Sequence, residues 1–389
     1  MKLRILALIL AVLMTLSLAA CFSSGMREHE YKETEPPAGT LDFAAAYAKF
    51  DPDELAMTID GIEVYWDEYF FFLFSTITDQ LGDTVSNWDY LLDDDYTIEQ
   101  YIIENAISVL TLYNVALANI IHSGVSLSDE DWQTLDDDWM ASVESYVENM
   151  SVTDYSGMSA EESFPLKEAE LLEYYKTVFL TKELQYKFRS VDILYSKLYE
   201  RQFGEHAEKL SNTETLAFAE KEGFLAAKHI LFLTKDMSTD QDYDEAKIAS
   251  QKQLAEETLA ELLSAEPEEL EAKFDKLMNA RSEDNGLAYN PDGYCFTFDD
   301  MVPEFSEATK ALSPGEMTAE LVKSDFGYHI ILRLAVTPDM EPARANGATI
   351  RELLGQSRIA DLINKWVEAA SSVISPAFQS LSLKALFER

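Results

Sequence analysis

The sequence predicts an α+β protein: a mainly helical N-terminal region, a compact mixed domain inserted after it, and a C-terminal helix. Three observations support this prediction. Apolar residues make up 47% of the 389 residues, which suffices to bury the cores of two or more domains. Helical periodicity dominates residues 41–223. Beyond them, elements in the order β, α, α, β, α, β, β follow within about a hundred residues, which is typical of a compact α+β domain.

The helical region is predicted to open on a β-hairpin. Asp60-Gly61, between the β-prone runs Leu55–Ile59 and Ile62–Tyr65, favours a tight antiparallel turn. The helix predicted next, Trp66–Leu81, has aromatic residues on every face, so most of them should lie in the core and a minority in a cradle for unfolded segments. Further helices are predicted from the capping box Thr97-Ile98-Glu99-Gln100 to Gly124, from Ser128 onward, and, as one or two helices, over 164–199.

The mixed domain is indicated by a change of pattern after residue 223. An apolar, β-prone run is followed by an acidic loop, two helices and short strands separated by turns. Pro267 is expected in the first turn of the second of these helices. The predicted strands are 225–234, 294–298, 320–324 and 328–335, and the predicted helices are 244–263, 267–279, 303–312 and, after a loose stretch, 350–373.

Charge and motifs limit the partners. The chain has 30 Lys and Arg residues against 71 Asp and Glu, a formal charge of −41, which repels phosphate backbones and makes nucleic acid a poor candidate. We expect the acidic surface mainly to resist aggregation, with attraction for basic, unfolded polypeptides as the narrower alternative. The sequence contains no Walker loop, Gly-x-Gly-x-x-Gly segment, Gly-x-Ser-x-Gly elbow or zinc-type spacing, so no cofactor or metal is expected.

The first residues are predicted to be an export signal. Lys2 and Arg4 precede the apolar run 5–16, and Leu18-Ala19-Ala20-Cys21 resembles a bacterial lipobox. We therefore expect Cys21 to carry a lipid that anchors the mature protein at the outer face of the cell membrane, with an ordinary signal peptide as the alternative.

Two further features of the sequence bear on this anchor. Cys295 would be the only other thiol, expected as a buried small hydrophobe, so that no intramolecular disulfide forms. No second apolar stretch is long enough to span a bilayer, which leaves the lipid as the only membrane attachment.

His229 and His329 stand in the same kind of sequence context about a hundred residues apart, each directly before an apolar, β-prone run. Together with three further segments they resemble, in full order, a parvulin-type peptidyl-prolyl isomerase domain over residues 224–337. The surrounding plan is similar to extracellular foldases of the PrsA/SurA type. The five segments are Lys228-His229-Ile230-Leu231, Ser282-Glu283-Asp284, Met301-Val302-Pro303-Glu304-Phe305, Leu312-Ser313-Pro314-Gly315-Glu316-Met317 and Phe326-Gly327-Tyr328-His329-Ile330-Ile331.

The resemblance implies a four-stranded antiparallel sheet flanked by helices, and a site for each matching residue. His229 and His329 match paired histidines on adjacent central strands, Asp284 stands where some members carry cysteine, and Ser324 matches a hydroxyl of the same polar network. Met301 and Phe305, four apart on one predicted helical face, match the pocket for the proline ring. A purely structural role for the histidines is at least as favoured as direct chemistry.

The sequence departs from the family pattern in two places. Asn290-Pro291-Asp292-Gly293-Tyr294 replaces the usual Gly-Gly-Asp-Leu-Gly, so a pocket leucine is missing. The loop 235–243 has one lysine against Asp236, Asp240 and Asp242, which argues against selectivity for phosphoserine-proline.

The leading hypothesis is thus an extracytoplasmic prolyl isomerase and chaperone that acts on unfolded exported polypeptides with Xaa-Pro bonds. One alternative is a non-catalytic holdase that uses the parvulin fold as a binding module, and another is a solute-binding lipoprotein. A homodimer is left open. The predicted divisions are a signal peptide (1–20), a flexible tether (21–40), a helical chaperone-like region (41–223), the parvulin domain (224–337) and a C-terminal helix packing on the N-terminal region (338–389).

Overall fold

The computed structural model describes residues 40–82, 85, 87–93 and 95–388. Cys21, the export signal and most of the expected tether lie outside these residues. The described residues divide into two compact units, which we call the helical unit (described residues up to 201 and from 359 onward) and the sheet unit (residues 202–358).

The helical unit is built from antiparallel pairs of strands and long helices. Its elements up to residue 203 are α1 (Phe43–Tyr47), β1 (Leu55–Ile59), β2 (Ile62–Tyr65), α2 (Trp66–Leu81), β3 (Leu91–Asp93), β4 (Tyr96–Thr97), α3 (Ile98–His122), α4 (Asp129–Met150), α5 (Ala160–Thr177) and α6 (Lys182–Phe203).

The sheet unit alternates helices with short strands. Its elements are α7 (Asn212–Glu222), β5 (Leu225–Leu233), β6 (Lys235–Asp236), β7 (Gln241–Asp242), α8 (Glu245–Leu263), α9 (Leu270–Arg281), β8 (Tyr294–Phe296), α10 (Pro303–Ala311), β9 (Val322–Lys323) and β10 (Gly327–Leu334). The helix α11 (Ile350–Ala369) begins in the sheet unit, and its residues from 359 onward belong to the helical unit. After α11 the chain adds β11 (Ser372–Ile374) and α12 (Leu383–Phe387) to the helical unit.

The predicted hairpin at the start of the helical unit is confirmed. β1 and β2 pair antiparallel, and both turn residues have positive φ, 47° at Asp60 and 82° at Gly61, as a type I′ turn requires. On its other side β1 pairs antiparallel with β11, so the sheet has the order β11-β1-β2. The prediction of one helix through residue 373 is therefore wrong for its last residues, which form a strand.

The aromatic residues of α2 lie in the core, as predicted for most of them. Tyr69, Phe70, Phe71 and Phe72 are all buried, and Phe74 is partly buried. Glu68 is also buried on this helix, where its carboxylate accepts hydrogen bonds from Lys187 Nζ of α6 and Asn114 Nδ2 of α3. Because a buried charge is costly without partners, this network fixes how the three helices align.

One helix among the described residues, α3, is long and apolar enough to cross a membrane by length and composition alone. The expectation that no second apolar stretch is long enough to span a bilayer is therefore wrong. Ile102, Leu110 and Tyr113 on this helix are buried in the core of the helical unit. Their burial is what a core helix of a folded unit shows, and the capping box predicted at Thr97 and Gln100 begins it.

The sheet unit contains the predicted four-stranded antiparallel sheet, in the order β8-β5-β10-β9. One face packs on α8 and α9 through Ile230, Phe232, Ile330 and Leu332. The other packs on α10 through Leu225, Ala227 and Ile331. Several element ends differ from prediction: α9 begins at Leu270, three residues after Pro267, and β8 and β9 are shorter than expected.

Candidate active site

The two histidines project from the face of the sheet that α10 covers. In the register of β5 and β10, His229 pairs with Ile331 and His329 pairs with Leu231. Because residues two apart on a strand share a face, this register makes the two imidazoles diagonal neighbours. Their ring centroids are 5.4 Å apart and their planes are 15° from parallel.

A continuous set of polar contacts runs through this pair. His229 Nε2 lies 2.8 Å from Asp284 Oδ2, and His229 Nδ1 lies 3.1 Å from His329 Nδ1. His329 Nε2 lies 2.6 Å from Ser324 Oγ, which accepts a hydrogen bond from the Phe326 amide. The structure thus brings together His229, His329, Asp284 and Ser324, which the sequence placed in one network. We call these four residues the polar chain.

The direction of the hydrogen bonds in the polar chain follows from its two ends. At one end the Asp284 carboxylate only accepts, so His229 Nε2 must donate and His229 Nδ1 is left as an acceptor in the neutral ring. His329 then donates from Nδ1, and its Nε2 accepts from the Ser324 hydroxyl. Both imidazoles can therefore be neutral with every donor and acceptor of the chain satisfied.

Burial and charge favour an uncharged His329 in the same site as an ionised Asp284. Burial, and secondarily the neighbouring His229, lower the pKa of His329 to about 3. Burial would raise the pKa of Asp284, but hydrogen bonds from His229, Tyr294 and the Gly286 amide prevail and lower that pKa to about 2. At neutral pH the site therefore holds one ionised carboxylate and an uncharged His329. Among the described residues no group of three or more His, Cys, Asp or Glu side chains is arranged to hold a metal ion.

The loop that carries Asp284 is anchored on β5 beyond the reach of β8. The pairing of β5 with β8 ends at Ala227. Further along β5, Ser282 Oγ accepts from the Leu231 amide, the Glu283 carboxylate accepts from the Leu233 amide, and the Glu283 amide donates to the Leu231 carbonyl. The loop thereby takes the place of a neighbouring strand. These bonds set the position from which Asp284 reaches His229.

An apolar cluster packs against the polar chain. The ring of Phe305, the third residue of α10, meets the rings of His229 and His329 edge-on at centroid distances of 5.1 and 5.7 Å. Phe305 belongs to an apolar cluster that also contains Phe296, Ile331 and, partly buried, Met301.

The prediction that Met301 and Phe305 share a helical face is wrong. α10 begins at Pro303, and Met301 lies before it in extended conformation, with φ −119° and ψ 167°. Proline disfavours helical backbone at the residue before it and is favoured at the first helical position, which explains the start of the helix. Both side chains still belong to the same apolar cluster.

Sequence reasoning missed Tyr294. Its hydroxyl donates a hydrogen bond to Asp284 Oδ2 at 2.6 Å, and its ring meets His229 at a centroid distance of 5.6 Å. The only signal for it was that a tyrosine stands where the family pattern has glycine. Cys295, next to it on β8, is buried as expected, and this burial raises the pKa of its thiol to about 12.

The fold and this site define a class of protein domain. Residues 229–335 match the family model of the rotamases, the PPIC-type PPIase domain. This part of the chain, about a quarter of its length, is a parvulin-type peptidyl-prolyl isomerase domain.

Related proteins carry names of the same kind. Over 183 residues the chain is 30% identical to Cbf2 of Campylobacter jejuni, whose name assigns it to the peptidyl-prolyl cis-trans isomerases; this covers 43% of the chain and 57% of Cbf2. Over 155 residues it is 30% identical to the chaperone SurA of Thiobacillus denitrificans, covering 39% of the chain and 32% of SurA. The chain thus spans about half or less of the length of these relatives.

Solved structures of foldases resemble the chain at lower identity. The peptidylprolyl isomerase PrsA of Bacillus cereus matches 78% of the chain and 100% of its own length, at 20% identity and a TM-score of 0.27. PrsA of Bacillus subtilis matches 72% of the chain and 91% of its own length, at 19% identity and a TM-score of 0.24. At these scores the likeness carries no argument about function.

Proposed function

We propose that the protein is a peptidyl-prolyl cis-trans isomerase and foldase for exported polypeptides. The observation that supports this best is the contact of Phe305 with both imidazoles of the buried polar chain. This contact places an apolar side chain that can hold a proline ring next to polar groups whose hydrogen bonds run in one defined direction.

The proposed chemistry is rotation about the Xaa-Pro bond without a covalent intermediate. The uncatalysed barrier is roughly 18–20 kcal/mol, because the planar amide has partial double-bond character. Burying the amide disfavours its charge-separated planar form, so a dry slot that grips the proline ring lowers the barrier to the twisted state. In this proposal Phe305 and Met301 hold the ring, and the polar chain keeps the walls of the slot in place.

Covalent alternatives are unfavourable here. Cys295 is buried and its thiol has a pKa of about 12, so it is not a thiolate at neutral pH. The Asp284 carboxylate is engaged by His229, Tyr294 and the Gly286 amide, which leaves it poorly placed to attack a carbonyl. We therefore assign Asp284 the role of orienting His229.

A peptide assay tests the isomerase proposal. Phe305→Ala removes the ring that joins the slot to the imidazoles, and kcat/KM for an Xaa-Pro peptide should fall by at least roughly ten-fold. The matched control is Phe298→Ala, which removes a partly exposed ring just before α10 and outside this apolar cluster, and should keep kcat/KM within about two-fold. Equal turnover by wild type and Phe305→Ala, with both folded, would refute the assignment.

Chain binding by the helical unit is the second part of the proposal, and it also underlies the holdase alternative. Large apolar side chains are exposed on α4 and α5, among them Trp132, Met140 and Leu166. Exposed apolar surface of this kind is typical of interaction sites. If the protein both holds and isomerises, Phe305→Ala loses isomerase activity but still delays aggregation of an unfolded client; if it only holds, the wild type shows no isomerase activity.

For the location we propose lipid attachment at Cys21 on the outer face of the membrane. The support is the lipobox-like sequence Leu18-Ala19-Ala20-Cys21 behind a charged and apolar leader. Cys21→Ala should move the protein from the membrane to the soluble fraction. Cys295→Ala is the control and should leave the protein in the membrane fraction. Continued membrane partitioning of Cys21→Ala, measured by fractionation, would contradict the anchor.

A further inference from the structure

Tyr294 is the residue near the site that departs most from the family pattern. It lies on β8, paired with Ala227, where the usual motif has the last glycine of Gly-Gly-Asp-Leu-Gly. A side chain of this size beside the imidazoles needs space and a partner for its hydroxyl. The structure provides both.

The partner is Asp284 and the space is left by a glycine. The phenol donates to Asp284 Oδ2 at 2.6 Å, the same oxygen that receives His229 Nε2. A Cβ placed on Gly286 would lie 2.2 Å from the Tyr294 hydroxyl oxygen, far inside contact distance. Gly286 therefore makes room for this hydroxyl, and its own amide donates to the second carboxylate oxygen, Oδ1, at 2.9 Å.

We propose that Tyr294 is a positioning residue of the isomerase: through Asp284 it fixes the tautomer of His229 and thereby the hydrogen-bond direction of the polar chain. This inference rests on the proposed function for its effect on catalysis. Its effect on the histidines can be tested without any turnover.

The argument starts from what the carboxylate can accept. With the phenol and His229 on Oδ2 and the Gly286 amide on Oδ1, Asp284 is surrounded by donors and stays ionised, in agreement with its lowered pKa. Burial and the adjacent carboxylate raise the pKa of the Tyr294 phenol, so it remains a donor at neutral pH. An ionised Asp284 held in this orientation selects the His229 tautomer protonated at Nε2.

Loss of the phenol changes this selection. Without it, Oδ2 keeps only one donor, and the carboxylate can rotate or bind water. The other groups around Asp284 are His229 on β5 and, one step further, His329 on β10 with Lys323 beside it. None of them replaces the phenol as a donor to the carboxylate. The two neutral tautomers of His229 then become closer in energy.

The first test is Tyr294→Phe, which keeps the ring and removes only the hydroxyl. We expect kcat for an Xaa-Pro peptide to fall about ten-fold with KM within about two-fold, because the phenol acts through Asp284 and not on the proline ring. Nitrogen-15 NMR of the ring nitrogens should show one His229 tautomer in wild type and a mixture in the variant. Tyr289→Phe, which alters an exposed tyrosine of the same loop, is the matched control and should change neither readout.

The second test uses the space left by Gly286. Gly286→Ala in the wild-type background should lower thermal stability and activity, since its methyl group collides with the phenol. In the Tyr294→Phe background the 2.2 Å collision with the hydroxyl is gone, and only the tight contacts of 3.2 Å to Asp284 Oδ1 and 3.3 Å to the ring Cζ remain. Gly286→Ala should therefore cost the Tyr294→Phe protein much less stability and activity than it costs wild type. Additive losses would contradict the pairing of Gly286 with the hydroxyl.

The outcomes separate the two proposals. An inactive wild type refutes the isomerase function, while a tautomer mixture in Tyr294→Phe still supports the role of Tyr294. An active wild type whose Tyr294→Phe variant keeps both kcat and a single His229 tautomer overturns the role of Tyr294 and leaves the isomerase function standing. A lower melting temperature in Tyr294→Phe without a change of tautomer also counts against positioning, because it indicates packing alone.

Discussion

His329 is the most deeply buried ionisable group of the polar chain, with 3% of its surface exposed. Its pKa in the folded protein is about 3, below the ordinary histidine value near 6.5. Between pH 6.5 and about pH 3 this histidine is therefore protonated in the unfolded chain and neutral in the folded chain. The stability that this provides is complete above about pH 6.5 and is lost as the pH falls toward 3.

We predict that His329→Gln weakens this pH dependence. Between pH 7.5 and pH 5 the wild type should lose about 2 kcal/mol of unfolding free energy through this group, and the variant should not. Urea unfolding of both proteins at pH 5 and pH 7.5 measures the difference. His122→Gln, which alters an exposed histidine at the end of α3, should keep the wild-type slope; equal slopes for all three proteins would contradict the prediction.

The four members of the polar chain were grouped through a resemblance and not through local physics, and the structure brings them into contact. Their roles stay a prediction. His229 and Asp284 are 55 residues apart, and their contact depends on the register of strands that no single segment determines. Ser282 and Glu283 were missed because the amides that their side chains bind are 51 and 50 residues away in sequence. Tyr294 is only 10 residues from Asp284, but nothing in its own segment marks it as a partner of that carboxylate. A tyrosine in a short strand is by itself an ordinary β-former.

Among the elements, those with a local signal were predictable, including the β1–β2 hairpin, and short strands with a distant partner were not. α3 has the predicted start because its capping box is local, and α2 has the predicted start because its aromatic run directly follows the hairpin. β11 was predicted as the end of a helix, since three residues carry little pattern and its partner, β1, lies more than three hundred residues earlier. Such pairing appears only once the chain is folded.

The residues after β11 give an element-scale prediction. Phe378 is buried against Trp66 and Phe50, with ring centroids 5.3 and 4.7 Å away. Phe378→Ala should lower the unfolding free energy of the helical unit by about 3–5 kcal/mol, the usual cost of emptying a buried phenylalanine site. Val373→Ala, on the exposed side of β11, should cost less than about 1 kcal/mol. Chemical denaturation followed by tryptophan fluorescence compares them, and similar losses for both would refute the prediction.

At the scale of the whole molecule, the sequence predicted the order of a helical region, a mixed domain and a C-terminal helix. The structure divides the chain at residues 201 and 358, with the C-terminal residues in the same unit as the first helices. Limits of 224–337 for the parvulin domain remain a prediction, and the family match covers 229–335. Composition could not supply these limits, because the formal charge of −41 is a sum over the whole chain and does not show where one domain ends and the next begins.

The loop that carries Asp284 also has a consequence for solubility. Beyond Ala227 the amides of Leu231 and Leu233 on β5 would form an open strand edge, and such an edge invites pairing with any extended chain. Ser282 and Glu283 occupy it with a hydroxyl and a carboxylate. If the clients are unfolded chains, as proposed, the protein meets many extended segments that could pair with an open edge of β5. Closing the edge with side chains protects the sheet from co-aggregation with such chains.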